Sequence, residues 1–149
     1  MGTGDNLDVA ARAVDAFNRR DMATLVECFD ENVIWVPLPG VPDLTEPAHG
    51  RDGVLQMLDR WLEPWDHYES ATRELVGEGD VVMWTTHVRA SQRESGMELA
   101  QDIYAVLDFR EGKIALARWF WTKADAVAAA RAGDADEQLT RLHREHAGR

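Results

Sequence analysis

Two side chains of the types that move protons stand in strand-like runs. Asp102 lies in the run AQDIYAV and His87 in the run VVMWTTHVRAS. A carboxylate beside an imidazole is a common acid–base arrangement, because it fixes the ring tautomer and stabilises the charged ring. Asp102 also reads as half of a cross-strand ion pair with Arg89 or Arg118, so catalytic and interface readings both stand. His49 is a third candidate. With Asp43 and Glu46 it occupies a proline-rich stretch and suits the mouth of a pocket, although ordinary loop polarity accounts for the same residues. His143 and His146 stand three apart on an expected helix, but a metal needs further ligands, so no metal site is expected. There is no glycine-rich phosphate loop, no GxSxG and no CxxC, and no cofactor is expected. The candidate catalytic residues are therefore Asp102, His87 and His49.

Composition bounds the partners. The chain has 149 residues, enough for one domain with a real core. Its 27 acidic and 16 basic residues give a formal charge of -11. Nucleic acid and anionic membrane surfaces are dense in negative charge, so both are excluded as expected partners. Cys28 is the only cysteine. It falls among Leu25, Val26 and Phe29, and reads as a small buried hydrophobe rather than a reactive thiol. The first twenty residues carry Asp5, Asp8, Arg12, Asp15, Arg19 and Arg20, and no apolar stretch approaches a membrane span. A cytoplasmic setting is the expectation.

The elements that must position these residues follow from periodicity. Leu7, Ala10, Ala11, Val14 and Phe17 recur at helical spacing over residues 6–19. Asp21 caps a short second helix. VIWVP is a strand ended by Pro37. Residues 37–50 hold Pro37, Pro39, Pro42 and Pro47, a stiffened loop that reads either as a lid or as a connector. A helix begins near Asp52, buries Val54, Leu58, Trp61 and Leu62, and ends at Pro64. Residues 67–76 are mixed. VVMWTTHVRAS, LAQDIYAVLDF and KIALARWFWT are strands joined by tight turns. The order is α-α-β-α-β-β-β-β. An Ala-rich helix follows from Ala124, Gly133-Asp134 breaks it, and a charged helix spans about 136–146. Residues 1–132 form the domain, and 133–149 a helical or flexible tail.

Three of these features together resemble a known family. They are the helix ending in Asn18-Arg19-Arg20-Asp21 that leads into VIWVP, the segment HGRDGVLQMLDRWL, and the hairpin AQDIYAVLDFREGKIALARWFW. In this order they are similar to the SnoaL-like and ketosteroid-isomerase-like proteins of the nuclear-transport-factor-two-like superfamily, over about residues 6–130. The resemblance implies an α+β fold: a cone-shaped α+β barrel in which a strongly curved mixed sheet wraps the N-terminal helices around a pocket. It also implies that the outer sheet face makes a dimer. The family's catalytic positions do not carry over. A ketosteroid isomerase's general-base Asp matches Val36. Its two oxyanion donors match Ala13 and Ala105. The epoxide hydrolases' Asp matches Trp119, and the acidic residue of the polyketide cyclases falls near Trp119, Phe120 and Trp121. Without a base and an acid, carbon-to-carbon proton transfer has no mechanism.

Strand alternation combined with the resemblance gives a ligand-binding set: Phe17, Val36, Leu58, Trp61, Trp84, Thr86, Gln101, Ile103, Trp119 and Trp121. The same residues also suit a solid core. Tyr104, Val106, Leu116 and Phe120 fall on the outer face and predict a homodimer. The tail carries only Leu139 and Leu142 as large apolar groups, so little burial offsets its ordering. The expected function is a small-molecule enzyme of isomerase, cyclase, dehydratase or hydrolase type acting on an apolar substrate. The alternatives are a non-catalytic binder of an apolar small molecule and a dimeric interaction domain.

Overall fold

The computed structural model describes residues 2–148. The first helix, α1 (Thr3–Asn18), buries Ala10, Ala13, Val14 and Ala16 on one face. The chain leaves it through Arg20, whose φ of 58° lies in the left-handed region. Asp21 then caps α2 (Met22–Glu27), accepting from the Thr24 backbone N–H at 3.2 Å. Strand β1 (Phe29–Val36) follows. The proline-rich loop contains a two-residue strand, β2 (Ala48–His49), that leads directly into α3 (Gly50–Leu62). Four strands complete the sheet: β3 (Trp65–Glu78), β4 (Val81–Gln92), β5 (Glu98–Arg110) and β6 (Lys113–Phe120). At the β5–β6 turn, Glu111 and Gly112 both have positive φ, the primed geometry whose twist matches that of a hairpin.

The sheet order is β2-β1-β6-β5-β4-β3. β1 runs parallel to β6 and all other pairs are antiparallel. The sheet is curved but unclosed, with β2 and β3 as its edges. α1 packs against β3 and β4, and α3 against β1. The inward set of the strands, which includes Val82, Trp84, Val88, Ile103, Ala105, Leu107, Ala117 and Trp119, forms the main core with these helices.

The other face of the sheet carries the two C-terminal helices. α4 (Lys123–Ala132) lies over β4, β5 and β6, and Gly133 at φ 65° turns the chain into α5 (Ala135–Ala147). The tail is therefore a docked helix. Ala135 and Leu142 are buried in a second cluster with Ile34 and Leu116, and Val36 and Leu139 pack against it. The apolar face formed by Val106 and Leu116 is fully buried within one chain. There α4 and α5 supply the cover. Tyr104 and Phe120, paired across β5 and β6, stay half-buried.

Beneath α4 and α5 lies a buried ion-pair cluster. The Arg118 guanidinium is 3.0 Å from Asp108 and 3.4 Å from Asp134, and Arg118 and Asp108 are both buried. Desolvation raises the Asp108 carboxyl above its ordinary value, against the pull of the Arg118 charge. Asp134 is lowered, mainly by a hydrogen bond from Gln138. Arg110 pairs with Asp136 at the start of α5. These contacts fasten the tail to the sheet. Among the described residues, no helix is long and apolar enough to cross a membrane.

Candidate functional site

The concave side of the sheet and the three N-terminal helices enclose a cavity. Its volume is about 80 Å³. An apolar cavity of roughly 150 Å³ in a protein interior holds one benzene ring, so this space is on the scale of a single ring and not of a polycyclic body. Of the expected ligand-binding set, Phe17, Leu58, Trp61, Trp84, Thr86, Ile103 and Trp119 line it. The other three do not. Val36 lies on the opposite face, under α5, and Trp35 takes its place in the wall. β1 alternates inward at Phe29, Val33 and Trp35 and outward at Ile34 and Val36, so the position taken from the resemblance falls one residue off the wall. Gln101 pairs with Val88 where β5 has run past the cavity. Trp121 donates its indole N–H to the Pro39 carbonyl at 2.7 Å and so ties the proline-rich loop down. That loop is a wall: Pro37, Leu38, Val41 and Leu44 line the cavity, and Leu38 and Leu44 are buried.

The three candidate catalytic residues are not brought together. His87 Nδ1 and Asp102 Oδ1 meet at 2.8 Å across β4 and β5, on the outward-facing set, and neither lines the cavity. Arg73 shares Asp102 at 3.6 Å, so the group is a polar surface cluster. His49 lies on β2 at the far edge of the sheet. Its ring stacks on His146 of α5 at 3.9 Å and 11°, and meets His143 edge-on at 6.1 Å. The parallel His49 and His146 rings do not converge on a common point. Among the described residues, no group of three or more His, Cys, Asp or Glu has metal-binding geometry. Cys28 is buried, with its thiol held above its ordinary value mainly by desolvation.

The sequence reading missed the polar side of the cavity. Tyr68 and Ser70, two apart on β3, both line it. Burial raises the Tyr68 phenol above its ordinary value, with a hydrogen bond from Trp61 and the Arg20 charge acting in the opposite direction. Arg20 braces the ring from outside: its guanidinium donates to the Phe17 and Tyr68 carbonyls and lies over both rings, at 5.0 and 5.8 Å from their centroids. Ser70 Oγ and Thr86 Oγ1 are 2.5 Å apart. Trp84 donates to Thr72 at 3.0 Å. The rest of the wall is aromatic and aliphatic. Trp119 meets Trp84 at 5.2 Å and Trp35 at 5.7 Å, and its buried indole N–H has no hydrogen-bond partner among the described residues. The family's catalytic positions are apolar here. Ala13 and Trp119 line the cavity, and Ala105 is buried beside it.

A six-stranded curved sheet closed on one side by α1, α2 and α3 defines an α+β protein of the cone-fold class. The sequence pattern of the SnoaL-like domain matches residues 10–117, and the chain belongs to the SnoaL-like family. No curated protein matches it. Among solved structures it is similar to Bal32a from a soil-derived mobile gene cassette, with a TM-score of 0.74 and 24% identity over 84% of this chain and 95% of that one. It is similar to TerC co-crystallised with polyporic acid, with a TM-score of 0.71 and 19% identity over 81% and 94%. A SnoaL-like polyketide cyclase, so described, from Jannaschia sp. CCS1 gives a TM-score of 0.70 and 16% identity over 88% and 94%. At these identities the likeness concerns the fold.

Proposed function

We propose that this protein binds an apolar small molecule of about one ring in the cone. The observation that carries this reading is the composition of the wall. Tyr68 is its one ionisable side chain among the described residues, and it is a phenol held neutral by burial. A chamber of this kind supplies apolar contact and a few directed hydrogen bonds, the usual make-up of a small-molecule site. Trp35, Trp84 and Trp119 give large rigid faces at low entropic cost. Thermal unfolding and tryptophan fluorescence of the full chain with ethylbenzene, and with benzoate as a charged control, test the reading. Ethylbenzene should raise the melting temperature in a concentration-dependent way and alter the fluorescence, and benzoate should do neither. Trp119→Ala should remove the fluorescence response. Absence of binding by any single-ring apolar molecule would end this reading.

A second reading, catalysis on the same ligand, draws on the likeness to a structure described as a polyketide cyclase. Tyr68 would then be the proton donor. No steroid double-bond migration is expected, because Ala13, Val36 and Ala105, at the positions of the family's base and oxyanion donors, offer neither. A homodimer through Tyr104 and Phe120 belongs to the same proposal, with light scattering expected near twice 16.8 kDa. So does a reducing, cytoplasmic setting, in keeping with the single buried thiol.

A further inference from the structure

We propose that the ligand carries a hydroxyl on an apolar ring, as a phenol or alicyclic alcohol does, and that Tyr68 and Ser70 receive that group. The proposal rests on the cavity being a binding chamber. It starts from a count of protons. Thr86 has a single hydroxyl proton. Its Oγ1 lies 3.3 Å from the Ala71 carbonyl, which can only accept, and 2.5 Å from Ser70 Oγ. Thr86 therefore gives its proton to Ala71, and Ser70 gives its own to Thr86. The Ser70 oxygen keeps its lone pairs, and no donor among the described residues reaches them.

Tyr68 is the reverse case. Its ring meets Trp61 edge-on and lines the cavity, and no protein acceptor among the described residues takes the phenolic proton. Both side chains line the cavity from one face of β3, two residues apart. This edge offers one donor and one acceptor, set in a wall that is otherwise mostly apolar. A hydroxyl is the smallest uncharged group that can accept and donate at once. An ether or ketone meets Tyr68 alone, and a hydrocarbon meets neither. A carboxylate faces the Ser70 lone pairs with no cation lining the cavity.

The test uses 4-ethylphenol, 4-ethylanisole and 4-ethyltoluene, titrated calorimetrically into the full chain. The phenol should bind about tenfold more tightly than the toluene, with the anisole between them. Tyr68→Phe should weaken the phenol and the anisole and leave the toluene unchanged. Ser70→Ala should erase the advantage of phenol over anisole and keep that of anisole over toluene. Ser70→Cys preserves the shape with a far weaker acceptor, and should give the same result if the alanine variant does not fold. Equal affinity of all three molecules for the natural chain would overturn the hydroxyl inference and leave the binding chamber standing. Binding of none of them would remove the chamber itself.

Discussion

On β6, Ala117 and Trp119 join the inner core while Leu116 and Arg118 face α4 and α5, so neighbouring residues serve two environments. The inner environment is made of rings that meet edge to face or at a tilt and leave a space between them. The outer one is made of a buried guanidinium, two carboxylates and two docked helices. Shape governs the inner side, where a void is tolerated because only dispersion and apolar contact are lost around it. Pairing governs the outer side, where a charge left alone in a dry site is costly. The contrast teaches that the buried charges and the apolar cavity lie on opposite faces of one sheet, so the outer pairing and the proposed ligand binding should respond to separate substitutions.

The strongest way to break this division is Arg118→Met. It strands Asp108 beneath α4 and α5 and should cost about 3–5 kcal/mol in urea unfolding, with ethylbenzene affinity unchanged. A comparable loss of ligand affinity in folded protein would show that the two faces are coupled. Leu142→Ala, on α5, should cost about 2 kcal/mol, or about 6 °C of melting temperature. No loss would restore the expectation of a marginal tail.

Trp84→Phe removes the hydrogen bond to Thr72 on the inner side and should cost about 1 kcal/mol in urea unfolding. Asp108 sharpens the outer side through pH. Its folded pKa lies above the unfolded value of 3.8, so its contribution is full below 3.8 and is lost as pH rises through the folded value. Stability measured across the mildly acidic range should therefore fall less with rising pH in Asp108→Asn than in the natural chain. The smallest effect is expected for His87→Ala. The His87–Asp102 pair is partly exposed, and its loss should leave ligand affinity within about twofold and stability within about 0.5 kcal/mol.

The helices and the three central strands were legible because their apolar residues keep a clean period. Trp84, Thr86, Ile103 and Trp119 were assigned to one face by strand alternation together with the family resemblance. The resemblance failed at β1, where Phe29, Val33 and Trp35 alternate inward and Val36 faces α5. The alternation failed on β3, an edge strand with shifts after Trp65 and Thr72 and mostly exposed residues. Tyr68 and Ser70 were hidden there, because a broken period and a polar composition carry no signal of facing. The docking of α5 was hidden for another reason. Leu139 and Leu142 look sparse in the tail, but their partners Ile34 and Leu116 are remote in sequence.

The bond between the Trp121 indole and the Pro39 carbonyl has a consequence in time rather than in energy. It fastens the one wall of the cavity that is neither helix nor strand. If a ligand enters past this wall, the observed association rate should level off at high ligand concentration, at the rate with which the loop lets go. Trp121→Phe keeps the ring and removes the fastening. In stopped-flow fluorescence it should raise that plateau and speed escape in the same proportion, so that the protein fills and empties faster while its occupancy at equilibrium stays the same.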